Sequence, residues 1–250
     1  MAEPLPSAGI AGKDATLVQA MFDRVAPRYD LANTVLSFGQ DAYWRRVAAR
    51  AADPAGGWVL DVAAGTGALS RELVRVGASK VVALDLSHRM LVAGAGRRPT
   101  RVVLVNGDAL RLPFADATFD VTTIAFGLRN LPDPQAALAE FARVTRPRGR
   151  LVVLEFGHPT WPPFRWLYTR YLLRALPLIA SALSPAPSAY RYLADSIQRW
   201  PGADGLGKWI ARNGWESVAY RPLSAGIVVM HLASRLDDPR RVPYASRESP

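Results

Sequence analysis

Asp61, Gly65, Thr66 and Gly67 stand where an apolar run, Val59-Leu60-Asp61-Val62, meets a pair of glycines. Such a run suits a strand covered on both faces. The glycines remove side chains where backbone must come close to something. Leu69, Leu73, Val74 and Val76 then recur at helical spacing. A strand, a glycine turn and a helix start offer free backbone N–H groups to a polar ligand. A carboxylate at the strand end repels phosphates and suits a ligand carrying an ammonium and a sulfonium. Asp85 closes the next apolar run, Val81-Val82-Ala83-Leu84. An acid about twenty residues past the glycines can hold both hydroxyls of a ribose.

Two ligand classes use such a turn. Dinucleotide enzymes want G-x-G-x-x-G, with the pyrophosphate on the helix start. Gly65 and Gly67 fit that pattern, but Ser70 occupies the third position. The S-adenosylmethionine (SAM) methyltransferases use D-x-x-x-G-x-G, which Asp61, Gly65 and Gly67 match. Packing of a helix on a sheet would explain the glycines alone. It does not explain Asp61 and Asp85 both in register.

The surrounding pattern predicts an α/β sheet that brings these groups together. After Val81–Leu84, Met90 to Gly96 lies on a helix. A third strand, Val102 to Val105, leads to Asn106-Gly107-Asp108-Ala109. A fourth, Asp120 to Ala125, ends at Phe126-Gly127-Leu128-Arg129-Asn130. Pro134 to Val144 reads as an amphipathic helix, Pro147-Arg148-Gly149 as a turn, and Leu151 to Phe156 as a fifth strand bearing Glu155. Ligands in such sheets sit beyond the carboxyl ends of the strands. Asp61, Asp85, Asp108, Phe126–Asn130 and Glu155 all fall there, so five segments assemble one crevice.

Helical segments flank this core. From Lys13 an amphipathic helix carries Leu17, Val18, Met21, Phe22 and Val25 and ends at Pro27. A second helix begins at Asn33, and a third holds Tyr43, Trp44, Val47 and Ala48. Residues 13–55 are expected to form a lid or substrate wall. Tyr29, Asp30 and Asn33 lie at the break between helices, where buried polar groups need partners. Residues 161–200 are expected to form a helical insertion over the site. There Leu167, Tyr171, Arg174 and Leu178 share a face, as core or as an apolar substrate channel. Leu206–Asn213 reads as a helix; Trp215–Pro222 and Gly226–Ser234 read as an antiparallel pair. Residues 1–12 and 235–250 are expected to be disordered, leaving a single domain over 13–234.

The 250-residue chain is long enough to bury a full core. It has no cysteine, which excludes disulfides and thiolate metal sites, and its three histidines, His88, His158 and His231, are far apart, so no metal is expected. There is neither a signal-peptide pattern nor an apolar run long enough to span a bilayer, consistent with a cytoplasmic location. The net charge of +10 is carried by scattered arginines with no nucleic-acid motif, so nucleic acid is not an expected partner.

Several stretches together resemble the menaquinone/ubiquinone C-methyltransferases, most of all their actinobacterial menaquinone branch. They are Met21-Phe22-Asp23 through Tyr29-Asp30-x-x-Asn33, Leu60 through Gly67, Gly107-Asp108-Ala109 with Leu112-Pro113-Phe114, Phe126-Gly127-Leu128-Arg129-Asn130, Tyr190-x-Tyr192-Leu193-x-x-Ser196-Ile197, and Gly226-Ile227-Val228. The resemblance covers about residues 15–234. It implies a class I SAM-dependent methyltransferase fold, Rossmann-like, with a mostly parallel seven-stranded sheet. It implies SAM as cofactor, held by Asp61, Gly65, Thr66, Gly67, Asp85, Asp108 and Ala109. It also implies C-methylation of demethylmenaquinol, with Arg129 stabilising an oxyanion, Asn130 orienting a hydroxyl or water, and Tyr29 relaying a proton. The partners implied are a prenylated quinol and, peripherally, the membrane surface; a homodimer is compatible with it.

The chain departs from the family pattern at Arg148 (usually glycine), Ala125 (often serine) and Gly157-His158. These departures leave a related enzyme of secondary metabolism as an alternative, with a non-catalytic SAM-fold subunit as a further one. Trp161, Phe164, Trp166, Tyr168 and Tyr171 beside Arg165, Arg170 and Arg174 suit a headgroup zone.

Overall fold

Val59, Leu60 and Val62 lie near the middle of a seven-stranded sheet in the computed structural model, which describes residues 15–26, 29–171 and 187–237. The strands are β1 (Trp58–Val62), β2 (Lys80–Asp85), β3 (Val102–Asn106), β4 (Phe119–Ala125), β5 (Thr145–Phe156), β6 (Trp215–Leu223) and β7 (Val228–Arg235). Their order is β3-β2-β1-β4-β5-β7-β6, with the first five parallel and β7 antiparallel to both β5 and β6. The order reverses between β1 and β4, and a crevice opens beyond the carboxyl ends there.

Helices cover both faces, which is why the strands are apolar on both sides. The helices are α1 (Ala15–Val25), α2 (Tyr29–Leu36), α3 (Gln40–Ala52), α4 (Ala68–Arg75), α5 (His88–Ala95), α6 (Pro134–Val144), α7 (Pro162–Arg170), α8 (Pro187–Arg199) and α9 (Ala203–Arg212). Leu60, Val62, Val82 and Leu84 pack with Leu138 and Phe141 of α6 and Leu206 and Ile210 of α9. Val59, Val81 and Ala83 pack on the other side with Trp44, Ala48 and Ala52 of α3 and Leu69 and Leu73 of α4. So α3, expected within the lid, packs on the sheet. Helices α1 and α2 rest on α8: Val18 and Met21 on Tyr192, Ala32 and Leu36 on Ala194 and Ile197.

Three boundaries differ from the sequence expectation. Helix α2 starts at Tyr29, not Asn33, so Tyr29 and Asp30 form its first turn. Strand β5 starts at Thr145, because Thr145 pairs with Phe119. The expected turn survives inside it as an irregularity, with Arg148 at φ 61°. Arg235 belongs to β7 and Leu236 is buried, so the fold runs past the point where a tail was expected. The expected lead and most of that tail, together with Pro27, Arg174 and Leu178, lie outside the described residues.

Candidate active site

The residues after β1 and after β4 face each other across the crevice, and both exits use left-handed backbone. Ala63 has φ 51° and Phe126 φ 60°. That conformation is costly for a bulky side chain and persists only where the surroundings hold it. At Phe126 the holding groups are visible. Its N–H donates to the Leu154 carbonyl at 2.8 Å. Its carbonyl accepts from Arg129 Nη1 at 2.6 Å and from Asn130 Nδ2 at 3.2 Å. The ring therefore stands fixed between Trp44 and Phe156, with centroids 5.9 and 4.9 Å away.

On the β1 side, Asp61 is 1% exposed. Its Oδ2 accepts from Ser70 Oγ at 2.5 Å and its Oδ1 from Thr123 Oγ1 at 3.0 Å. Burial pushes its pKa up to about 6, against the pull of those two hydroxyls and of Arg45. Asp85 is braced by backbone: Gly65 N–H donates to Oδ2 at 2.7 Å and Ser87 N–H to Oδ1 at 2.8 Å. Burial raises its pKa, and those two donors oppose the rise. Gly65 and Gly67 have φ of 58° and 72°, which lets the turn wrap toward Asp85. Asp108 is exposed beside it and caps Leu110 N–H at 2.9 Å, while Ala109 is buried in the core under the same strand end.

Helices α1 and α2 bond to this turn and to the residues after β2. Thr66 Oγ1 donates to Asp30 at 2.6 Å, and Asp30 pairs with Arg97 at 2.7 Å. Gln19 of α1 donates to the Leu86 carbonyl at 3.2 Å, and Ser87 donates to Asp23.

Two cavities meet here. A cleft of about 30 Å³ lies on the glycine turn, lined by Asp61, Ala63–Thr66, Leu69 and Ala125 among others. Against it lies a cavity of about 870 Å³, walled by α1, α2, α3, α7 and α8 and largely apolar. Tyr29, Arg45 and Phe126 line both. Arg129 and Asn130 line the large cavity. Arg129 is already engaged: its Nη1 lies 3.0 Å from both oxygens of Glu155, which is 1% exposed, and its guanidinium sits 4.9 Å over the Phe156 ring. Tyr192 donates to Asn130 Oδ1 at 3.3 Å.

Sequence reading missed Asp41 and Arg45. Both line the large cavity, and Nη1 of Arg45 lies 2.5 Å from Asp41 Oδ2. Their one signal was an acid and a base four residues apart on the face that carries Trp44. Of the three departures, only Ala125 touches a cavity. Arg148 pairs with Asp237 at the far end of β5, and His158 contacts the Trp200 carbonyl. Among the described residues no cluster of potential metal ligands occurs.

Known proteins share this architecture. A SAM-dependent methyltransferase from Thermotoga maritima superposes with TM-score 0.63 at 18% identity, over 87% of this chain and 99% of that one. Human N-acetylserotonin methyltransferase, solved in complex with SAM, superposes with TM-score 0.57 at 16% identity, over 84% and 58%. By sequence, the demethylmenaquinone methyltransferase of Renibacterium salmoninarum is 55% identical over 217 residues, 86% of this chain and 91% of that one. That of Mycolicibacterium paratuberculosis is 54% identical over 219 residues, 87% and 94%. The profile of the ubiE/COQ5 methyltransferases matches residues 10–235. The chain belongs to the ubiE/COQ5 methyltransferase family.

Proposed function

We propose that this protein is a SAM-dependent methyltransferase that methylates a ring carbon of demethylmenaquinol to give menaquinol. The observation that carries this reading is the junction of a small polar cleft with a large apolar cavity, with Tyr29, Arg45 and Phe126 shared between them. The names and close identity of the relatives support the same acceptor.

The residues of the cleft fit SAM. Asp61 offers a carboxylate to an ammonium, the turn at Gly65–Gly67 offers close-approaching backbone, and Asp85 is braced to face ribose hydroxyls. Asp108 and Ala109 lie at the neighbouring strand end and would help to hold SAM there. SAM supplies a sulfonium methyl. The chain's own task is to bring a ring carbon in line with that methyl and to keep water out. Arg129 and Asn130 act here by holding the Phe126 turn against the ring, and Tyr29 stands at the transfer point. The oxidised quinone is electron-poor and does not attack a sulfonium, whereas the quinol does after losing a proton. Purified protein with SAM is therefore expected to methylate a short-chain demethylmenaquinone analogue only with a reductant present. Turnover without reductant, or none with it, would overturn the reading.

The acceptor's prenyl tail implies work at a cytoplasmic membrane surface. No described helix is long and apolar enough to cross a bilayer. Exposed apolar side chains stand instead by α2 and α7: Phe38 and Leu167 line the cavity, and Leu31, Trp161 and Trp166 are exposed on the same segments. Arg165 and Arg170 are exposed beside them, and Arg170 sits 4.6 Å over the Trp166 ring. Rings and cations together suit headgroups, and basic residues add about 1 kcal/mol each near anionic lipid. Flotation with anionic liposomes should be lost in a Phe38→Ser/Trp166→Ser variant and weakened by salt; indifference to both would remove the membrane from this proposal.

A further inference from the structure

The proposed reaction needs a group to take the hydroxyl proton of the acceptor. The titratable side chains that the described residues place on the wall of the large cavity can be named. Among the described residues, Asp41 is the only carboxylate in that lining, and no histidine joins it. The two described cations are Arg45 and Arg129, of which Arg129 is held by Glu155. The phenols are Tyr29, Tyr168, Tyr171 and Tyr192. Burial raises the pKa of Tyr168, Tyr171 and Tyr192, so those three hold their protons more tightly than usual.

Asp41 is 7% exposed and fixed from several sides. Its Oδ1 accepts from Ser37 Oγ at 3.2 Å. Its Oδ2 accepts from Arg45 Nη1 at 2.5 Å and from Thr34 Oγ1 at 3.5 Å. The Asp41 N–H in turn donates to Ser37 Oγ at 3.2 Å. Arg45 makes no other hydrogen bond among the described residues, so its Nε and Nη2 donors remain for a ligand. Arg45 also lines the SAM cleft.

We infer that Asp41 is the catalytic base of this site, and that Arg45 both orients it and faces the oxyanion formed. This rests on the hydroquinone reading above. The hydroxyl proton passes to the Asp41 carboxylate. The electron pair released into the ring forms the new carbon–carbon bond to the methyl, and the sulfur keeps the pair of the broken carbon–sulfur bond. The ring carbon then loses its own proton to solvent, and the oxygen regains one from Asp41. One proton is released per turnover, and no oxidant is consumed. Arg45 lies between the two cavities, so its charge stands where the oxyanion must be when the ring meets the methyl.

The test uses the full-length protein, a reduced short-chain demethylmenaquinol analogue, and S-adenosylhomocysteine as the binding probe. General-base removal typically costs about 10²–10⁴-fold in rate. Asp41→Asn should lose kcat on that scale while its S-adenosylhomocysteine affinity by calorimetry stays close to wild type. Its remaining rate should rise in proportion to hydroxide, because only pre-ionised acceptor then reacts. Asp41→Glu should recover part of kcat with the wild-type profile, and it keeps the test alive if the asparagine variant fails to fold. Wild-type kcat and profile in Asp41→Asn, or a loss confined to KM, would overturn the inference alone. A wild-type protein that ignores the quinol would overturn the function proposed above, and this inference with it.

Discussion

Thr66, on the glycine turn, donates its hydroxyl to Asp30, on helix α2, at 2.6 Å. The bond joins the cofactor side of the site to its cover. It predicts that cofactor release is coupled to lid opening. Loss of a hydrogen bond to a charged group costs about 1.5–3 kcal/mol. Thr66→Val should therefore speed SAM dissociation at least tenfold, on the scale of about 1.4 kcal/mol per decade. Stopped-flow displacement measures this, and an unchanged off-rate would separate the lid from the cofactor.

Asp85 combines two backbone donors with a position at the crevice. Removing its carboxylate takes away both the ribose partner and the brace of the Gly65 turn. Asp85→Ala should weaken SAM binding by about 1.5–3 kcal/mol or somewhat more. Calorimetry on the folded variant decides it; wild-type affinity would remove Asp85 from the site.

The Arg129–Glu155 pair is 6% and 1% exposed at its side chains. Removing one partner of a buried pair strands the other charge, at about 3–5 kcal/mol. Arg129→Ala should thus unfold early in denaturant as well as turn over slowly. Arg129→Met combined with Glu155→Leu should regain much of the stability without regaining the rate, since the Phe126 carbonyl then has lost its shorter donor and keeps only Asn130. Full activity in the double variant would deny Arg129 any part in the reaction.

Asp61 has a folded pKa of about 6 against an ordinary 3.8. Between those values the unfolded chain releases the proton and the folded chain keeps it, so the free protein loses stability as pH rises through that window. Two pKa units correspond to about 2.7 kcal/mol. Asp61→Asn should be more stable than wild type above pH 6 by up to that amount. An ammonium ligand favours the ionised carboxylate, so wild-type SAM affinity should rise with pH through about 6. The variant should bind weakly at every pH. A flat wild-type profile would show that Asp61 does not meet the ammonium.

The core of this fold is written in local signals. Val59–Val62, the paired glycines and the Pro134–Val144 helix each carry their own period or turn chemistry, and their positions match. Tyr29 and Asp30, expected at the break between helices, form the first turn of α2 instead, and Asp30 finds its partners, Thr66 and Arg97, only in the folded molecule. Asp41 and Arg45 look like an ordinary surface pair on a helix. They are enclosed because α2 lies over the start of α3, which periodicity within α3 does not record. Phe126 gives no hint of its positive φ, since no residue type there asks for one; the clamp by Arg129 and Asn130 imposes it.

The seat of α1 and α2 on Tyr192, Ala194 and Ile197 also orders the protein's birth. The cover is synthesised long before this seat, with all of β1 to β5 between them. Until α8 leaves the ribosome, Met21 lacks Tyr192, and Ala32 and Leu36 have only Phe156, Tyr168 and Tyr171 beside them, while the cofactor turn between β1 and α4 can already pack on β2. Contacts of such long sequence separation form slowly and leave apolar surface open meanwhile. The wall of the acceptor chamber is thus completed late, by α8 and then by Ser224, Ala225 and Ile227, and a chain cut before α8 lacks both.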